Sequence, residues 1–86
     1  MLTVGDYIEI NQNHIRNFKR TIRLMERGDI EPEAILQRGF TLEGLARAIF
    51  ILTKEIEYLD GFDTDHILTS AEVRELRAIQ KELKKF

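Results

Sequence analysis

The sequence predicts an all-α fold, a small antiparallel bundle of three long helices and one short helix in a single domain over residues 1–86. Three stretches carry apolar residues at the three- and four-residue spacing of a helix face. Each stretch begins at a threonine suited to cap a helix, and glycines follow the first two. One proline, five glycines and 33% charged residues are typical of a folded helical chain.

The first long helix is predicted from Val4 to Arg27, with Thr3 as its N-cap and Gly28 as its stop. Asn11 lies in the middle of the apolar face of this helix. We expect Asn11 to satisfy a buried polar partner and to fix the register of the helix. A kink at this position and a contact with a ligand are the alternatives.

The second long helix, Thr41 to Leu59, is the most apolar and is predicted to lie at the centre of the bundle. Thr41 is placed to cap it, and Gly61 is expected to end it in a left-handed conformation. A short helix is predicted just before it, over Pro32–Arg38, because proline is favoured in a first turn. The apolar residues of the central helix that are predicted to face the core are Leu42, Leu45, Ala46, Ala48, Ile49, Phe50, Leu52, Ile56 and Leu59.

The last long helix is predicted from Ser70 to near Lys85, opened by a capping box between Thr69 and Glu72. Its apolar stripe is narrow, so we expect it to pack on one side only. The core is expected to be covered by three residues that precede the central helix, namely Ile35, Leu36 and Phe40.

Two rows of basic residues are the sharpest functional feature of the sequence. The first helix carries a net charge of +4 between Arg16 and Arg27, on the face opposite its apolar residues. Guanidinium groups suit carboxylate or phosphate, so an acidic protein or a nucleic-acid backbone would be the natural partner. A solvated face without a partner is the third interpretation. The residues of the two rows are Arg16, Lys19, Arg20, Arg23 and Arg27 on the first helix and Arg74, Arg77 and Lys81 on the last.

Four apolar residues fall outside the predicted core faces and are a candidate seam for a partner or for a second copy of the chain. They are Ile10 and Leu24 on the first helix and Ile51 and Tyr58 on the central helix, and the seven-residue step between Ile51 and Tyr58 is that of a helix seam. Cover by another helix of the same chain explains them equally well. A homodimer is favoured slightly, because small domains often supplement a thin core by association.

Several classes of function find little support in the residues. The chain has no cysteine, which excludes disulfides and thiolate sites and is compatible with the cytoplasm. The two histidines, His14 and His66, are far apart in sequence, and the carboxylates of Asp60, Asp63 and Asp65 lack the spacing of a calcium loop. We therefore expect no enzyme activity, no cofactor, no metal and no membrane span.

The function that these patterns favour is a small cytoplasmic, non-catalytic protein-binding module. It would act as a regulator or inhibitor by docking a helix face onto the acidic surface of a larger protein. The alternative is a nucleic-acid-binding protein that uses its basic helix faces for backbone contacts with little sequence readout.

Overall fold

The structure, a computed structural model, describes residues 1–28 and 41–84. These residues form three helices, α1 (Val4–Arg27), α2 (Leu42–Leu59) and α3 (Ser70–Lys84), and contain no strand. The all-helical bundle is thus confirmed, and the three helices counted among the described residues do not include the short fourth helix of the prediction. The short helix predicted over Pro32–Arg38 and the residues expected to cover the core lie outside the described ranges.

The helix α2 lies between its neighbours, since it packs against both α1 and α3. The Asn11 amide of α1 meets Glu55 of α2, and the Tyr58 hydroxyl of α2 meets Glu75 of α3. About two turns after Asn11 in α1, Phe18 lines a groove together with Ala48, which precedes Glu55 by about two turns in α2. Contacts that advance along one helix and retreat along the next show that α1 and α2 run antiparallel.

The start of α1 is tied down by its own cap and by the segment between α2 and α3. The backbone N–H of Asp6 donates to Thr3 Oγ1 at 3.2 Å, and the backbone N–H of Thr3 donates to the Asp6 carboxylate at 3.0 Å, which confirms the predicted N-cap. These hydrogen bonds from Thr3 lower the pKa of Asp6. The N–H groups of Val4 and Gly5 donate to carbonyls of the 60–69 segment, at 2.8 and 2.9 Å. The first orphan donors of the helix are thereby satisfied.

Both predicted glycine stops can be compared with the structure. Gly28 has a φ of 76° and its N–H donates to the carbonyls of Leu24 and Met25, as expected for a left-handed helix end. The prediction for Gly61 is wrong, because among the described residues Gly28 alone has a positive φ. The helix α2 ends instead in a right-handed turn at Asp60, with a φ of −63°. The next N–H groups donate to carbonyls in the last turn of α2.

The buried face of α2 differs from the predicted one. Residues Ile51 and Glu55 are buried together with Leu45 and Leu59, a stripe roughly 120° wide at 100° per residue. Leu42 and Phe50, both predicted to face the core, are 45% and 50% exposed. The buried stripe is rotated because polar groups of α1 and α3 meet α2 at Glu55, a position that hydrophobicity alone assigns to the surface.

The segment between α2 and α3 is built on stacked rings and a second capping box. The Phe62 ring stacks on His66 at 5.0 Å and meets the Tyr58 ring edge-on at 5.4 Å. Glu72 accepts from the backbone N–H of Thr69 at 2.8 Å and contacts the His66 imidazole at 2.8 Å. These hydrogen bonds, that of Thr69 first, lower the pKa of Glu72. The capping box predicted for α3 is therefore confirmed.

The three described helices differ from membrane-spanning helices. None of the three combines the length and the apolar character that crossing a bilayer requires.

Candidate functional site

The arginine face of α1 is formed by Arg16, Arg20, Arg23 and Arg27, which are all exposed. Together with the half-buried Leu24 they line an open groove of about 450 Å³. The four residues span three turns, or roughly 16 Å along the helix. The sequence prediction that these side chains share an outer face is confirmed, and Lys19 is exposed beside them.

No arginine of this face has an acidic partner within the described part of the chain. The ion pairs found there join Lys54 to Glu57 and His66 to Glu72, both away from the arginine face. The row contains one acid, Glu26, which forms neither of these ion pairs, and its net charge is +4. Like charges one turn apart repel each other, so an anionic partner would relieve this repulsion.

The second basic row, Arg74, Arg77 and Lys81 of α3, is also exposed. Acidic residues are interleaved with it, namely Glu75 and Glu82. At 100° per residue these two acids lie on another side of α3, and the Glu75 carboxylate accepts from Tyr58 of α2, so they neighbour the row in sequence but not on its face. The role of both rows in binding stays a prediction.

The four residues of the candidate seam occupy different environments. Ile10 is exposed and Leu24 is half-buried beside the arginines, so both can reach a partner. Ile51 is buried inside the bundle. The hydroxyl of Tyr58 donates to Glu75 at 2.5 Å, and this hydrogen bond raises the pKa of Tyr58 to about 12. For the two residues of α2, cover within the chain is the interpretation that agrees with these contacts.

A polar network at the centre of the bundle was not foreseen as a whole. Glu55 is only 4% exposed, and its two carboxylate oxygens accept hydrogen bonds from amides of two different helices. The Asn11 amide of α1 donates to Oε2 at 2.9 Å, and the Gln80 amide of α3 donates to Oε1. The expectation of a buried partner for Asn11 is confirmed, whereas Glu55 and Gln80 were missed. The available signal was that each has apolar residues three or four positions away on both sides.

An open groove of about 330 Å³ adjoins this network. The α1 side is formed by His14 and Phe18, whose rings stack at 6.0 Å, and the α2 side includes Ala48 and Leu52. Glu55 contributes to the lining as well. At 100° per residue, His14 and Phe18 lie on the side of α1 opposite the arginine face, so the two grooves are separate.

The histidines of the described chain have partners of their own and do not meet each other. His14 stacks on Phe18, and His66 contacts Glu72 and Phe62. Within residues 1–28 and 41–84, no three His, Asp or Glu side chains are grouped as a metal site would require.

Comparison of the chain with known protein families, with characterised proteins and with solved structures found no match. The basis for inferring function is therefore the chemistry of the described side chains. They present an exposed guanidinium surface suited to anions, and a buried carboxylate beside an open groove.

Proposed function

We propose that this protein is a cytoplasmic, non-catalytic module that binds another protein through the arginine face of α1, as a regulator or inhibitor of that partner. The partner would present a carboxylate-rich surface. The observation that carries the proposal is the row of four exposed arginines without an acidic partner among the described residues.

The composition of the arginine groove favours a protein over a nucleic acid as its occupant. Leu24 contributes apolar surface beside the guanidinium groups, and Ile10, nearer the start of α1, is also exposed. Protein interfaces combine arginine with apolar contacts at their centre. A phosphate backbone would use the charges but leave this apolar surface without a counterpart.

The arginines are expected to contribute chiefly to the rate and specificity of association. Several charges on one face raise the rate at which an oppositely charged partner approaches, and the effect falls with added salt. Charge-assisted, bidentate hydrogen bonds to carboxylates then hold the partner in one orientation.

The experiment is an affinity capture from a lysate of the source organism with three baits. They are the unmodified chain, the Arg16→Glu/Arg20→Glu/Arg23→Glu variant of α1 and the matched Arg74→Glu/Arg77→Glu/Lys81→Glu variant of α3. Each bait is used with and without nuclease, and circular dichroism checks that both variants remain helical. Because all substituted side chains are exposed, folding should be unaffected.

We expect one protein, captured in stoichiometric amount with or without nuclease, to be lost with the α1 variant and retained with the α3 variant. Its binding segment should be rich in Asp and Glu. Retention of that protein by the α1 variant would contradict the proposal. Capture that disappears with nuclease would favour the nucleic-acid alternative.

A homodimer is a further part of the proposal. Two arginine faces would repel each other, so a dimer would form through apolar surface such as that around Ile10. Sedimentation velocity of the unmodified chain and of an Ile10→Lys variant tests this, with loss of a dimer expected for the variant. A monomer at every concentration would contradict it.

A further inference from the structure

The carboxylate of Glu55 is buried with acceptor geometry on both of its oxygens. Each oxygen accepts from one amide, that of Asn11 or that of Gln80. A protonated carboxyl carries an O–H that donates, whereas an ionised one only accepts. Two accepting oxygens are thus the arrangement of the ionised form.

The described residues supply hydrogen bonds to this charge but no opposite charge. Asn11 and Gln80 are neutral, and Glu55 belongs to neither of the ion pairs found in the described part of the chain. A buried ion without a counter-ion is costly, and for this reason buried charges are usually paired. A carboxylate has about four acceptor positions, so two hydrogen bonds leave room for a further donor.

Glu55 forms part of the lining of an open groove on one side of the bundle. Its volume of about 330 Å³ corresponds to roughly ten water-sized groups. Phe18, Ala48 and Leu52 provide apolar lining, and exposed His14 stands beside Phe18. The combination of apolar walls with one charged group is typical of a pocket that orients a small ligand.

We propose that this groove binds a small organic ammonium ion, a primary amine on a short apolar chain. The ammonium group donates to the Glu55 carboxylate and supplies the missing positive charge. The chain lies against Phe18 and Leu52, whose surfaces it removes from water. This site is independent of the arginine face and of any protein bound there.

The test uses n-pentylammonium as the probe and n-pentanol as a neutral ligand of nearly equal shape. Both are titrated into the ¹⁵N-labelled full chain, and amide shifts are followed by two-dimensional NMR. We expect saturable shifts at residues that line the groove, with a dissociation constant at least about tenfold lower for the ammonium than for the alcohol.

Two variants locate the interaction. Glu55→Gln removes the charge and keeps the shape, although one accepting oxygen becomes a donating amide, and should weaken ammonium binding by about tenfold or more. Ala48→Leu keeps Glu55 but fills the groove, and should abolish binding of both ligands. The Ala48→Leu variant and the comparison of the two ligands decide the matter if Glu55→Gln does not fold. As an independent control, the Arg16→Glu/Arg20→Glu/Arg23→Glu variant should bind the probe normally.

Equal binding of pentanol and pentylammonium would overturn the proposal, as would shifts that map away from the groove. Unchanged ammonium binding by a folded Glu55→Gln variant would overturn it as well. Absence of saturable ammonium binding by the unmodified chain would also overturn it.

Discussion

Replacing Asn11 with alanine removes one of the two hydrogen bonds to the buried Glu55 carboxylate. Asn11 is 9% exposed, so little water can take the place of its amide. The amide of Gln80 still donates to the other oxygen, so Glu55 loses one of its two observed hydrogen bonds. The variant therefore isolates the contribution of one charge-assisted hydrogen bond at the centre of the bundle.

The expected loss of stability follows from that geometry. A hydrogen bond to a charged group contributes about 1.5–3 kcal/mol, and a buried acceptor left without its donor costs a similar amount. We expect the free energy of unfolding to fall by about 2–3 kcal/mol. For 86 residues the total is roughly 4–13 kcal/mol, so the loss is a large share of it. The midpoint of thermal unfolding should fall by roughly 10–20 °C.

Thermal and urea unfolding, followed by circular dichroism, measure this loss against a matched control. Asn13 is exposed on the same helix, so Asn13→Ala gains the same helix propensity without touching the network. Combining Asn11→Ala with Glu55→Leu completes a double-mutant cycle, in which the two residues should couple by about 2 kcal/mol. Equal stability of Asn11→Ala and Asn13→Ala, or additive effects in the cycle, would refute the reasoning.

Two further predictions concern the contact of α1 with the 60–69 segment and the contact of α2 with α3. A Cβ at Gly5 would lie 3.1 Å from the carbonyl oxygen of Thr64, so Gly5→Ala should lower the free energy of unfolding by about 1–2 kcal/mol. A Cβ at Gly61 would lie at an ordinary 3.5 Å from the carbonyl oxygen of Tyr58, so the control Gly61→Ala should change the free energy of unfolding by no more than about 0.5 kcal/mol. A Gly5→Ala variant as stable as this control would contradict the close approach. Tyr58 has its pKa raised to about 12 because its hydroxyl donates to a carboxylate of α3, so the neutral form is favoured in the folded chain. Its contribution to stability is present below pH 10 and is lost between about pH 10 and 12. Tyr58→Phe should remove the part of the tyrosinate absorbance titration centred near pH 12; an unchanged titration would contradict the hydrogen bond.

The helix boundaries could be predicted from local signals in the sequence. The Thr3 cap, the Gly28 stop and the box at Thr69 each depend on residues within a few positions of one another. Such signals act through the backbone of the same helix and need no tertiary contact. Gly61 is the exception, because the turn after α2 uses right-handed geometry and the stacked rings of Phe62 and His66 instead.

The orientation of α2 could not be predicted in the same way. A helical wheel counts Glu55 as polar and Phe50 as apolar, and places the buried face accordingly. In the bundle Glu55 is buried because amides from two other helices meet it, and Phe50 lies at the surface with the Lys54 ammonium 5.5 Å from its ring centre. A buried polar network depends on three segments at once, and no single stretch of sequence contains it.

In the candidate site, too, features set within one helix could be predicted, whereas features formed between helices could not. The exposure of the arginine face followed from its spacing within one helix, since charged residues opposite an apolar face remain in solvent. The burial of Ile51 and the hydrogen bond of Tyr58 to Glu75 arise from the packing of the bundle, which their seven-residue step could not show. The groove beside Glu55 requires both α1 and α2 and was likewise not visible in the sequence.

The central claim, that the arginine face of α1 contacts an acidic protein, is tested most directly by photo-crosslinking in cells of the source organism. A benzophenone amino acid is placed at Leu24, within the arginine groove, and in a control chain at Ala71, an exposed position of α3. The proposal predicts one protein adduct from position 24, joined within an Asp- and Glu-rich segment, and none from position 71. The same adduct from both positions, or an adduct from position 24 to nucleic acid alone, would contradict it.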